Sequence, residues 1–160
     1  MKGSTKVRMG LAAMAAGAIA VVALPASAST GTATITGGGS ITPPLDTSSQ
    51  THTFTFGGTG VAATDTYQGA FNCNVSGTDV GSGGAAGGDV ATGSGTFTGS
   101  CSPGTTISNG HFDRHGGAVT VTGTASGTVS GSFTGACSFT PTGPFPSVGT
   151  YQVVCHFAIH

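Results

Sequence analysis

The segment Val129 to Phe139, V-S-G-S-F-T-G-A-C-S-F, sorts by parity into two kinds of residue. Val129, Gly131, Phe133, Gly135, Cys137 and Phe139 fall on one side, and Ser130, Ser132, Thr134, Ala136 and Ser138 on the other. A period of two between apolar and hydroxylic residues is the mark of a β-strand with one buried and one solvated face. A near copy lies upstream, where Gly95 to Cys101 reads G-T-F-T-G-S-C against G-S-F-T-G-A-C at Gly131 to Cys137. Two strands of this kind cannot stand alone, so the rest of the chain has to supply partners for them.

It does so by the same rule. Ala33 and Ile35 alternate with Thr32, Thr34 and Thr36, and His52, Phe54 and Phe56 with Thr51, Thr53 and Thr55. Tyr67, Gly69, Phe71, Cys73 and Val75 share a face. Residues 105–112 suggest a short edge strand, and Val119 and Val121 alternate with Thr120 and Thr122. A last strand turns Tyr151, Val153, Cys155, Phe157 and Ile159 inward and Gln152, Val154, His156, Ala158 and His160 outward. Glycine every few residues penalises helix throughout. Seven or eight short strands with Gly/Pro turns predict an all-β antiparallel sandwich of immunoglobulin-like architecture, with a small β-barrel as the alternative. Gly37-Gly38-Gly39 and Pro43-Pro44 argue against a central strand, so residues 37–50 read as a linker. Residues 76–93, rich in glycine, and residues 102–117 read as loops.

The N-terminus is of another kind. Lys2, Lys6 and Arg8 precede a 16-residue apolar run from Met9 to Leu24, and Ala26-Ser27-Ala28 offers small residues to a signal peptidase. This reads as a secretory signal peptide over residues 1–28, the run being short of the roughly 20 residues that span a bilayer. The organisation that follows is an N-terminal strand and linker over 29–50 and a disulfide-stapled β domain over 51–160. The Gly/Ala-rich composition beside such a leader reads as bacterial, and the product as secreted and extracellular.

Removal of the leader makes the chain acidic. Five aspartates then face Arg114 alone, a net charge of −4 with the histidines neutral. One basic side chain cannot neutralise a row of phosphates or hold an anionic lipid surface, which excludes nucleic acid and membrane association as expected partners. Four cysteines in an exported chain read as two disulfides. All four lie on the inward parity of their strands. Folding each half as an antiparallel pair sets Cys73 opposite Cys101 and Cys137 opposite Cys155, closing loops of 29 and 19 residues, counting both cysteines.

Chemistry-bearing residues concentrate in His111-Phe112-Asp113-Arg114-His115. His111, Asp113 and His115 are the candidate metal ligands. In an extended strand, however, residues four apart lie about 13 Å from one another, too far to share an ion, and the cluster reads as a polar loop with an internal Asp–Arg pair. Ser108, His111 and Asp113 supply the residue types of a hydrolytic triad without a G-x-S-x-G elbow. The segment Gly77 to Gly93 lacks the lysine of a phosphate loop. No catalytic residue and no cofactor are expected. The reading is a non-catalytic extracellular protein with a structural, surface or adhesive role. The alternative is a soluble secreted binder, an inhibitor or small-ligand carrier working through the 76–93 and 102–117 loops. An enzyme built on His111 to His115 ranks below both, and an ice-binding surface of Thr-x-Thr pieces ranks last.

Overall fold

The computed structural model describes residues 27–83, 92–144 and 147–160. The segment read as a leader lies outside them, except for Ser27 and Ala28. The described chain forms eight antiparallel strands: β1 (Gly31–Leu45), β2 (Gln50–Thr64), β3 (Gln68–Gly81), β4 (Gly93–Ser102), β5 (Thr105–His115), β6 (Ala118–Gly127), β7 (Gly131–Pro141) and β8 (Val148–Ile159). Each pairs with the next, and β8 pairs back onto β1 from Gly31 opposite Ile159 to Ser40 opposite Thr150. The sheet is therefore one closed up-and-down barrel. The sandwich expectation is corrected and its barrel alternative holds. Alternating strands serve either architecture, and the β1–β8 ladder closes this one.

Closure depends on what fills the inside. Glycine and phenylalanine recur on the inward parity, and the register sets one against the other. Phe71 faces Gly60, Phe97 faces Gly110, Phe112 faces Gly95, Phe133 faces Gly123 and Phe157 faces Gly135. A Cβ placed at Gly95, Gly110, Gly123 or Gly135 would come within 2.5–2.7 Å of the facing ring. Each of these rings thus lies across the bare backbone of its neighbouring strand, covering a glycine that would otherwise leave a gap. Alternating small and large residues is what lets a narrow barrel fill without overpacking. Every phenylalanine among the described residues belongs to this core.

Two segments depart from the sequence reading. β1 runs straight through the expected linker. Pro43 and Pro44 fall where the β1–β8 register shifts, between Ser40 and Leu45, so no ladder hydrogen bond needs their missing N–H. The 102–117 segment is mostly strand: Ser102 ends β4, a two-residue turn follows, and β5 occupies Thr105–His115. β5 is no edge strand, since it pairs with both β4 and β6. Likewise residues 76–81 continue β3.

β5 also carries a bulge. The register slips between Ser108 and His111, and Asn109 takes a left-handed conformation with φ 51°. Asparagine is among the few non-glycine residues that adopt it readily. The extra residue reverses the strand's parity, so that Ile107 and then Gly110, Phe112 and Arg114 face the lumen.

Candidate functional site

The barrel lumen holds a cavity of about 220 Å³, walled by side chains from all eight strands, among them Phe54, Phe71, Phe97, Phe112, Phe133 and Phe157. Its wall reaches the end of the barrel that holds the strand termini at Tyr67, Pro103 and Val129. Both disulfides belong to the wall: Cys73 is bonded to Cys101 between β3 and β4, and Cys137 to Cys155 between β7 and β8. There are no free cysteines. No polar atom of the wall is accessible from inside the cavity.

The buried ionisable groups His52, Asp79 and Arg114 lie at the opposite end, where the β1–β2, β3–β4, β5–β6 and β7–β8 connections lie, while the buried hydroxyls of Ser29, Thr64 and Thr105 lie at the Tyr67 end. Arg114 Nη2 donates to Asp79 Oδ2 at 3.0 Å, with 2 % and 5 % of the two side chains exposed. Arg114 Nη1 donates to the Ser82 carbonyl, and the guanidinium sits 5.5 Å from the Phe139 ring centroid. The second carboxylate oxygen of Asp79, Oδ1, is buried with no hydrogen-bond partner. Glycine makes room for this pair. A Cβ at Gly93 would stand 2.5 Å from Arg114 Nη2 and 2.7 Å from Asp79 Oδ1.

His52, opposite Asp79 in the β2–β3 register, is 1 % exposed, with its ring nitrogens 2.6 Å from the Pro43 carbonyl and 3.2 Å from that of Gly81. Its ring ties β1, β2 and β3 together. Tyr151 stacks on Phe139 at 5.0 Å and donates its hydroxyl to the Thr55 carbonyl. Burial first, and then the charge of Asp79, push the Tyr151 phenol well above the ordinary tyrosine range. Asp46, on the exposed β1–β2 connection, accepts from the hydroxyl and the amide of Ser48, which hold its carboxyl below the usual value.

The residues singled out in the sequence lie elsewhere. His111, Asp113 and His115 project from the outer face of β5, with His111 Nε2 3.3 Å from Asp113 Oδ2 and both side chains half exposed. The expected Asp113–Arg114 pair is corrected: the two residues point to opposite faces, and Arg114 joins Asp79. Ser108 turns its hydroxyl to Thr124 rather than to His111. Among the described residues no three of His, Cys, Asp and Glu come together as a metal site. His156 is on the outer face, within hydrogen-bond distance of Thr34 Oγ1, and His160 is exposed. Of the 76–93 loop, residues 84–91 lie outside the described residues.

These features define the class: a small, closed, disulfide-bonded up-and-down barrel with an apolar lumen and a hydroxylic exterior. Comparison with known protein families, with characterised proteins and with solved structures gives no match to this chain.

Proposed function

We propose that this protein is a non-catalytic extracellular binder that holds one small ligand in the barrel lumen. The observation that carries the reading is the apolar lumen cavity of about 220 Å³ among the phenylalanines. An eight-stranded barrel is just wide enough to fill with side chains or to keep room for a single small molecule. Here the rings cover the inward glycines and the cavity remains between them. The two disulfides are compatible with an extracellular protein, and the N-terminal leader motif supports export.

The exterior fits a barrel surrounded by water. A lipid-facing barrel carries an outward apolar band with aromatic girdles. This one turns Thr34, Thr53, Thr78, Thr96, Thr122 and Thr134 outward and the phenylalanines among the described residues inward. The hydroxylic surface is also what supports a structural or adhesive role, but that role would make no use of the cavity.

The test is solvent extraction of the protein isolated from its own host, with mass spectrometry of the extract, together with thermal unfolding in the presence of added small hydrocarbons. A ligand at a hundred times its Kd should stabilise the protein by about 2.7 kcal/mol. Filling the lumen by Ala62→Leu should abolish that stabilisation. An empty extract, and no probe that raises Tm, would dispose of the binder reading.

A further inference from the structure

We infer that the lumen selects an uncharged ligand without hydrogen-bonding groups, a hydrocarbon of about one substituted ring. This deepens the binder reading and rests on it. The argument begins with where the polar side chains of the wall direct their hydrogen bonds. Tyr67 donates its hydroxyl to the Ala70 carbonyl, and Tyr151 to that of Thr55. Thr105 Oγ1 accepts from the Val129 N–H and faces the Pro103 carbonyl. Arg114 is engaged with Asp79 and with Ser82. Each of these groups has its partner in the barrel and the wall presents no accessible polar atom to the lumen, so a polar ligand would shed its water and gain no partner.

Asp79 Oδ1 is the one buried side-chain oxygen among the described residues that lacks a partner. It is also covered, with under 1 Å² of its surface accessible, and the Cα of Gly93 lies beside it. A ligand atom in the lumen therefore has no surface of Oδ1 to reach. Nor does the lumen call for a charge. Asp79 and Arg114 neutralise one another, so an ammonium or carboxylate on the ligand would enter a low-dielectric space with no counter-ion.

What the wall does offer is aromatic surface in the geometry that aromatic ligands favour. Phe54 and Phe112 meet edge to face at 5.5 Å, and Phe133 and Phe157 do so at 5.6 Å, so faces and edges are both presented around the cavity. Size follows from the volume. An apolar cavity of about 150 Å³ stays dry and takes benzene. By the same ratio, about 220 Å³ takes roughly eight or nine carbons.

The probes are p-xylene and p-cresol, which have the same shape and differ by a methyl and a hydroxyl. Binding of each to the full protein is followed by amide chemical shifts. The Ala125→Leu variant, which fills the lumen, serves as the site control, with Ala62→Leu in reserve should that variant not fold. We expect p-xylene to bind at least tenfold more tightly than p-cresol, and to be lost in the filled variant while the far-UV spectrum is unchanged. Equal or tighter binding of p-cresol would overturn the inference and leave the binder reading standing. Binding of p-xylene that survives in a folded, filled variant would overturn it too, since the site would then lie outside the lumen. If neither probe binds, this inference falls, and the solvent extract decides whether the binder reading falls with it.

Discussion

The buried Asp79–Arg114 pair permits a test in which one substitution harms and a second repairs. At 3.0 Å and an effective dielectric constant of about 20, the attraction is about 5.5 kcal/mol. Stripping water from two ions costs several kcal/mol each, so the net worth of the pair is near zero. Its parts are not. Asp79→Asn removes the negative charge and leaves the guanidinium buried, which should lower stability by about 3–5 kcal/mol. The double variant Asp79→Leu, Arg114→Met removes both charges and the unpartnered Oδ1. It should come within about 1 kcal/mol of the wild type, or exceed it. Urea unfolding with the disulfides intact, followed by far-UV circular dichroism, measures both. The expected result is a midpoint that falls sharply in the single variant and recovers in the double, with the denaturant slope unchanged. A double variant as unstable as the single one would refute the reasoning, because the pair would then be holding the barrel together. A loss below about 1 kcal/mol in Asp79→Asn would refute the premise that the site is dry.

Other outcomes follow from single features. In a Tyr67→Phe variant the remaining phenol is Tyr151, whose neutral form the fold favours; its stabilisation is complete below the ordinary tyrosine value near 10 and is lost as pH rises beyond it. Phenolate absorbance should therefore appear together with loss of the far-UV signal, and a reversible titration near pH 10 in the folded barrel would contradict this. At the β5 bulge, Asn109→Gly should be neutral to within a few tenths of a kcal/mol. Asn109→Val, a β-branched residue forced to φ 51°, should cost about 1–3 kcal/mol by denaturant midpoint, and equal midpoints would show that the bulge relaxes. Replacing Cys137 and Cys155 together by Ala opens a crosslink with a sequence separation of 18 and should cost about 3 kcal/mol. Non-reducing peptide mapping that linked Cys73 to Cys137 would upset the ladder pairing itself.

Most of the strands could be read because their signal is local. The period of two survives in β1, β2, β3, β4, β6, β7 and β8, and it places each cysteine on the lumen face. Closure could not be read, because it depends on Gly31–Ser40 meeting Thr150–Ile159, a pairing across nearly the whole domain. The polar cluster in β5 reads as a loop with an internal Asp–Arg pair because the bulge at one residue interrupts the alternation that marks a strand. Taken as an unbroken strand, Ile107 would bring His111, Asp113 and His115 inward with it. The bulge at Ser108–Asn109 puts Gly110, Phe112 and Arg114 there instead. Asn109-Gly110, two residues tolerant of left-handed backbone in mid-strand, was the available signal. Nothing local to Arg114 names Asp79 as its partner, 35 positions away. The lumen, too, was hidden, since a cavity belongs to the spaces between strands.

The seam between β1 and β8 sets an order of events during synthesis. β1 leaves the ribosome first, and one of its two ladders waits for the strand made last. Until Val148–Ile159 emerges, a nascent sheet of seven strands exposes two raw edges along its threonine-rich ribbons. With 6 % charged residues overall, the chain carries few gatekeepers against edge-to-edge association. A chain cut short within β8 would keep nearly all of its composition and lose its only protection. The finished barrel has no edge left to recruit a neighbour, so the hazard for this protein lies in its assembly and ends when the ring closes.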